Sequence, residues 1–156
     1  MIVQFHSSVL FVKNMEKSRA FYCDILKQEI ETDFGNNIML KGGLSIWEIQ
    51  ESHELHRTFY KKDVSNSSME LYFETENMNK VIELIHQFNI PKHHELVEES
   101  WGQRTIRIYD PDRNLVEIGE KLEVFIQRMY KEGMSIEEIM KKTGVPKPMI
   151  EKSVIW

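Results

Sequence analysis

Apolar and polar residues alternate over residues 3–12, VQFHSSVLFV, at the start of the chain. A period of two predicts a strand with one face on a core and His6 on the more polar face. The stretch NMEKSRAFYCDIL then predicts a helix capped by Asn14, with an apolar stripe of Phe21, Tyr22, Ile25 and Leu26. Glycine-containing turns separate three further predicted strands, at about 29–34, 37–41 and 44–50.

The same order of elements recurs in the second half of the chain. Residues 68–75, SMELYFET, alternate again, and Asn77 precedes a second amphipathic helix. Strands are predicted near 94–99, 103–109 and 114–119. The two capping asparagines are 63 residues apart, and His6 and Glu70, which we place at matching strand positions, are 64 apart. This spacing predicts an internal duplication of one β-α-β-β-β unit.

The remaining segments have no counterpart in the repeat. Residues 51–66 are polar and predict a linker containing His53 and His56, which we expect to be solvated. We predict one domain over residues 1–120, with repeats at about 3–50 and 67–119, and a helical extension over 121–156. The extension has the helix–glycine–helix order of a helix-turn-helix. Its second helix offers few basic groups, so we expect a packing or dimer-stabilising arm, and nucleic-acid binding is disfavoured.

Composition narrows the class of protein. The 156 residues carry a net charge of −5, and residues 1–120 hold 13 basic and 20 acidic residues, which argues against a nucleic-acid groove. Cys23 is the only cysteine, so no disulfide can form within the chain. No apolar run approaches the roughly 18 residues of a membrane span, and no signal-peptide cleavage site is evident. We expect a cytoplasmic protein without membrane contact.

Two segments resemble the glyoxalase/bleomycin-resistance/dioxygenase superfamily, also called the vicinal oxygen chelate superfamily. They are HSSVLFVKNMEKSRAFYCDIL and WGQRTIRIYDPDRNLVEIGE. The resemblance implies an α+β fold in which two βαβββ repeats form a U-shaped, incomplete barrel. Lys27 and Arg113 stand where the family usually has glycine. We expect Asn114 to tolerate left-handed geometry and so preserve the last turn.

The resemblance also implies a metal site. Carried over from the family, the four ligand positions fall on His6, Glu48, Glu70 and Glu117. Three converging carboxylates would repel each other unless a cation lay between them. One imidazole and three carboxylates suit Zn²⁺, Ni²⁺, Mn²⁺, Fe²⁺ or Co²⁺. A shift of one residue in the register around Glu70 would turn Met69 toward the site instead.

The function implied by the resemblance is that of a metal-dependent lyase or isomerase similar to glyoxalase I. The metal would hold two vicinal oxygens of a substrate and stabilise an enediolate, with Glu117 or Glu48 as general base. A thiol adduct of a 2-oxoaldehyde, or a similar 2-oxo compound, would be the substrate. The alternative is a metal-free binding protein, similar to the bleomycin-resistance branch. A ring-cleaving dioxygenase fits less well because only one histidine is available, and a regulator using the extension is a further hypothesis.

Further side chains are candidates for the substrate pocket and for assembly. Tyr72, Arg107 and Tyr109 alternate toward a polar face, and Trp101 precedes that strand, so we expect all four to line the pocket. We also expect a homodimer, because the extension adds apolar surface that is seldom left exposed. That surface includes Val124, Phe125, Ile139 and Trp156.

Overall fold

The structure is a computed structural model that describes residues 4–53, 56 and 69–154. The chain divides into two compact units. The first comprises residues 1–66 together with the turn at 110–113, and the second comprises residues 67–109 and 114–156. None of the helices within the described ranges is both long and apolar enough to cross a membrane.

The first unit is a four-stranded mixed sheet with one helical segment. Its elements are β1 (Ser8–Val12), α1 (Met15–Arg19), a π-helical continuation (Ala20–Ile25), β2 (Ile30–Asp33), β3 (Asn37–Leu40) and β4 (Leu44–Glu48). The strand order is β1-β4-β3-β2, with β1 parallel to β4 and the other pairs antiparallel. This arrangement is the predicted βαβββ unit.

Local chemistry explains where the first helix begins and what it packs on. The side chain of Asn14 accepts a hydrogen bond from the Lys17 amide at 2.9 Å, which caps α1 as predicted. Phe21 and Tyr22 are buried with the apolar face of the sheet, which includes Val12, Ile38, Leu40 and Ile46. The hydroxyl of Tyr22 donates to Asp110 at 2.8 Å, so the buried phenol is satisfied by the turn that belongs to this unit.

The second unit repeats the topology. Its elements are β5 (Leu71–Thr75), α2 (Met78–Gln87), β6 (Lys92–Glu98), β7 (Arg104–Tyr109) and β8 (Leu115–Glu120). The strand order is β5-β8-β7-β6, again with a parallel first pair. The two four-stranded sheets confirm the α+β fold of two βαβββ repeats.

The helical extension belongs to the second unit. It consists of α3 (Leu122–Lys131), α4 (Ile136–Thr143) and α5 (Lys147–Val154). These helices bury a small core of their own, formed by Phe125, Ile126, Met129, Ile139 and Ile150. Phe125 and Ile139 are therefore inside the extension and not on the surface that we expected to support a dimer.

The structure corrects two further expectations. The apolar stripe of the second helix, Val81, Leu84, Ile85 and Phe88, predicts that Phe88 is buried, but it is 48% exposed at the C-cap of α2, while Met78 and Ile85 are buried. The strand predicted near 94–99, with His93 and His94 beside a loop at its start, instead begins at Lys92, so both histidines lie within β6. Most of the predicted linker, at residues 54–55 and 57–66, falls outside the described residues.

Three turns contain a non-glycine residue in the left-handed region. Lys27, after the π-helical segment, has φ 57°, Asn89, after α2, has φ 50°, and Arg113, between β7 and β8, has φ 69°. Lys27 and Arg113 are the two positions at which the family usually has glycine, and the strain falls on Arg113 rather than on the expected Asn114. A side chain with a Cβ costs about 1–2 kcal/mol in this conformation.

We predict that Lys27→Gly stabilises the protein by about 0.5–1 kcal/mol, because relief of the left-handed strain exceeds the added chain entropy of glycine. Chemical denaturation measures the change. Lys27→Ala is the control and should have no effect, since alanine retains the Cβ. A loss of stability in Lys27→Gly would contradict the assignment of strain.

Candidate functional site

The register of the second sheet sorts its side chains onto two faces. Residues opposite each other on neighbouring strands share a face, and successive residues alternate. Arg107 lies opposite Glu117, which is the register partner of Tyr72 in β5, so these three residues share one face, here called the polar face. The opposite face carries the buried residues Ile106, Ile108, Val116 and Ile118.

The guanidinium of Arg107 forms the centre of a charged cluster on the polar face. Its Nε donates to Glu70 at 2.8 Å, and its Nη1 donates to Glu99 at 3.3 Å. Its Nη2 contacts the carboxylate of Glu117, and His94 Nε2 lies 3.4 Å from Nη1. One planar group with five N–H donors thus serves three carboxylates at once.

The cluster separates the pKa values of its carboxyl groups. Burial and, after it, the neighbouring carboxyl of Glu70 raise the pKa of Glu117 to about 7, against the opposing charge of Arg107. The hydrogen bond from Arg107 instead lowers the pKa of Glu70. The same bond to Glu70 raises the pKa of Arg107, so its positive charge is secure. Near neutral pH, the exchangeable proton of this cluster therefore belongs to Glu117.

A hydrogen-bonded relay holds two aromatic side chains beside the cluster. Gln103 donates to the hydroxyl of Tyr72 at 2.8 Å and accepts from the indole of Trp101 at 3.1 Å. A Cβ at Gly119 would lie 2.7 Å from the Gln103 amide and 3.0 Å from the Tyr72 hydroxyl. Glycine at this position therefore lets Tyr72 lie across β8, with its ring 49% exposed.

The other predicted pocket residues are placed as follows. Trp101 is 40% exposed in the loop before β7, and Gln103 bonds both its indole and the hydroxyl of Tyr72 on the polar face. The hydroxyl of Tyr109 lies 2.7 Å from His93 Nδ1. Tyr109 follows Arg107 by two residues in β7, and so it shares the polar face. Arg107 itself is engaged by carboxylates, which gives it a structural charge-balancing role that the sequence analysis did not assign.

The first repeat offers different side chains at the equivalent positions. Its first strand begins 63 residues before the first strand of the second repeat, since β1 begins at Ser8 and β5 at Leu71. Glu70 therefore corresponds to Ser7. Tyr72 corresponds to Val9, and their register partners in the parallel strand are Glu117 and Ser45. The hydroxyls of Ser7 and Ser45 lie 3.3 Å apart, so two serines stand where the second repeat has two carboxylates.

His6 and Glu48, the ligands expected in the first repeat, are not at the positions of Ser7 and Ser45. His6 is one residue before Ser7, and Glu48 is three residues after Ser45. The side chain of Glu48 is on the opposite face of β4 from Ser45 and Trp47. Its register partner is Val12, which is fully buried on the apolar face. Its carboxylate accepts the backbone N–H of Met15 at the start of α1. A carboxylate at a helix N-terminus is favourable, so the structure gives Glu48 a capping role. His6 is exposed and corresponds to Met69 in the second repeat.

The donor set does not fit a divalent ion as these side chains stand. The structure brings Glu70 and Glu117 together, but the guanidinium of Arg107 already binds both carboxylates. Within residues 4–53, 56 and 69–154, no group of three or more His, Cys, Asp or Glu side chains is arranged to hold a metal. Ser7 and Ser45 supply neutral hydroxyls, which are weaker ligands than carboxylates.

Comparison with known proteins establishes the family. The model of the glyoxalase-like domain matches residues 5–123, so the chain belongs to this family. A crystal structure of a protein of unknown function from Agrobacterium tumefaciens is 30% identical, with a TM-score of 0.65 over 78% of this chain and 97% of that one. The extension lies beyond the family match, apart from its first two residues.

More distant structures support the fold. Lactoylglutathione lyase from Agrobacterium tumefaciens is 22% identical, with a TM-score of 0.53 over 76% of this chain and 93% of that one. A glyoxalase/bleomycin resistance protein/dioxygenase from Alicyclobacillus acidocaldarius is 18% identical, with a TM-score of 0.55 over 78% and 92%. No curated protein matched the chain.

Sequence reasoning missed several side chains of this site. Ser7 follows from the spacing of the two repeats once the 63-residue offset of the helix caps is applied to the first strand as well. Ser45 is identified only by the strand register, which pairs it with Val9 as Glu117 is paired with Tyr72. Glu99 and Gln103 carried no such indication, because they lie in the loop around residue 101, where no periodicity fixes a face.

We predict that the Glu117 carboxyl titrates with a pKa near 7 and that Glu70→Gln lowers this pKa, because the neighbouring negative charge is removed. Carbon-13 NMR of the glutamate side chains follows the titration. The raised pKa means that Glu117 favours the folded state below pH about 4.5 and loses this contribution as the pH rises through 7.

Glu74→Gln is the matched control for this titration. Glu74 shares the polar face but contacts Tyr72 rather than Arg107, so its replacement should leave the titration of Glu117 almost unchanged. A Glu117 carboxyl that titrates at its ordinary value in the wild-type protein would contradict the described cluster.

Proposed function

We propose that this chain binds a small organic molecule on the polar face of the second repeat and does so without a divalent metal ion. The observation that carries the proposal is the position of Arg107 among Glu70, Glu99 and Glu117. The guanidinium supplies the positive charge that these carboxylates require. A metal ion would have to displace an arginine that is bonded to all three.

The aromatic groups beside the cluster support the small-molecule part of the proposal. Tyr72 and Trp101 are both partly exposed, and each is oriented by a hydrogen bond to Gln103. Aromatic rings held in this way provide a large apolar contact area at a low entropic cost. Arg107, Glu117 and Tyr72 add polar groups of both signs, which suits an aromatic or polar ligand.

A metal-dependent lyase or isomerase is the second candidate, and the carboxyl of Glu117 favours it. With a pKa of about 7, this group could accept or return a proton near neutral pH. A divalent ion, if bound, would polarise a carbonyl oxygen of the substrate. This candidate requires Arg107 to move away from Glu70 and Glu117.

We expect no stoichiometric binding when Zn²⁺, Ni²⁺ or Mn²⁺ is titrated by calorimetry into the tag-free protein, because Arg107 neutralises the carboxylates. Arg107→Met should bind these ions more tightly than the wild type, since Glu70, Glu99, Glu117 and His94 then surround a space without a cation. Arg104→Met is the control, because Arg104 pairs with Glu98 and Glu132 instead.

One tightly bound metal ion per wild-type chain would overturn the metal-free proposal. Metal-stimulated turnover of a thiol adduct of a 2-oxoaldehyde, lost in Glu117→Gln, would establish the lyase candidate in its place.

We expect that a thermal-shift screen of small aromatic and polar compounds finds stabilising ligands, and that Tyr72→Ala and Trp101→Ala each weaken their binding about tenfold or more. Calorimetry with the best compound measures the loss. Tyr130→Ala is the matched control, because Tyr130 is an exposed aromatic residue of the extension. If Tyr72→Ala and Trp101→Ala bind the compound as tightly as Tyr130→Ala and the wild type do, the ligand binds elsewhere.

A further inference from the structure

We propose that Arg128, in the helical extension, is a positioning residue for Tyr72 and Trp101 on the polar face. The inference rests on the proposed function, in which these two aromatic side chains contact the ligand. It gives the extension a role in the site, although none of its residues belongs to the charged cluster around Arg107. The physical basis is a set of hydrogen bonds that joins α3 to Gly102 and Glu120, and joins Glu120 through Gln103 to Tyr72 and Trp101.

Arg128 fastens α3 to both ends of the loop that carries Trp101. Its Nη2 donates to the carbonyl of Gly102 at 2.6 Å and to the carboxylate of Glu120 at 2.9 Å. Its Nη1 contacts Glu98 at 3.2 Å, at the end of β6. The side chain of Arg128 is only 15% exposed, so these bonds lie in a shielded environment where their loss is costly.

Packing at Gly102 brings the helix and the loop into direct contact. A Cβ at Gly102 would lie 2.7 Å from the sulfur of Met129, the residue that follows Arg128 in α3. Gly102 also has φ 93°, a conformation that side chains rarely adopt. The loop therefore follows a path that glycine permits and that α3 fixes from one side.

Gln103 passes this constraint on to the aromatic side chains. The Glu120 carboxylate held by Arg128 also accepts the backbone N–H of Arg104 at 3.0 Å. The Glu120 carbonyl accepts the side chain of Gln103 at 2.7 Å. Gln103 in turn bonds the Tyr72 hydroxyl and the Trp101 indole. Arg128 holds Gly102, which precedes Gln103 in the chain, and Glu120, which accepts the Gln103 side chain. It thereby fixes the position of Gln103 and with it the orientation of both rings.

Hydrogen exchange of the Trp101 indole N–H, followed by nitrogen-15 NMR without ligand, tests the proposal. Arg128→Met should accelerate this exchange roughly 2- to 10-fold, the range that one net hydrogen bond contributes. The indole of Trp47, in the first unit, should not change and serves as the internal reference. In a Gln103→Leu background, Arg128→Met should have no further effect, because the bond it acts through is already absent.

Lys142→Met is the matched control. Lys142 also joins the extension to Glu98, at 3.2 Å, and its Cε would lie 3.3 Å from a Cβ at Gly102, but its ammonium group donates to Glu98 and not to Glu120 or the Gly102 carbonyl. It should leave the exchange of Trp101 unchanged. An unchanged exchange rate in Arg128→Met, or an equal acceleration in Lys142→Met, would overturn the proposal. If Arg128→Met does not fold, Arg128→Gln carries the same test.

The exchange measurement needs neither ligand nor metal, so it is independent of the proposed function. Failure of the metal titration or of the ligand screen would leave the Arg128 relay standing as a structural feature. An unchanged Trp101 exchange rate would remove the role of the extension and leave the metal-free proposal intact.

Discussion

Three carboxylates converge on one guanidinium in the second repeat, and this contact governs what the polar face can bind. The strand register creates it, because Arg107 in β7 lies directly opposite Glu117 in β8 while Glu70 immediately precedes β5. Without Arg107, the negative charges of Glu70, Glu99 and Glu117 would repel each other at short range. Arg107 lowers the pKa of Glu70, whereas burial and the neighbouring Glu70 raise the pKa of Glu117 to about 7 against the opposing charge of Arg107.

The two repeats share a backbone but differ in chemistry. Both begin with a strand that runs parallel to the last strand of the unit, and in both the loop after the first strand ends in a capping asparagine. Ser7 and Ser45 nevertheless stand where the second repeat has Glu70 and Glu117. The fold thus carries a charged cluster in one copy and a pair of neutral hydroxyls in the other.

The fold followed closely from the sequence, whereas the site followed only in part. Periodicity, turn residues and the duplicated caps predict both repeats, because each of these features is local. Glu70 and Glu117 were found through the family resemblance. The positions carried over to His6 and Glu48 differ from those that the strand register matches to Glu70 and Glu117, because Ser7 is one residue after His6 and Ser45 is three residues before Glu48. A shift by an odd number of residues places a side chain on the other face of the strand. The position of Arg107 between carboxylates depends on tertiary contacts that no local pattern encodes.

The most direct test of the role of Arg107 is the free energy of unfolding of a set of charge-removal variants at pH 8. Arg107→Met should destabilise the protein by about 2 kcal/mol or more, because it leaves partly buried carboxylates without a counter-charge. Adding Glu70→Gln and Glu117→Gln to this variant should restore most of the loss. An Arg107→Met variant as stable as the wild type, with no recovery on removal of the two carboxylates, would contradict the account.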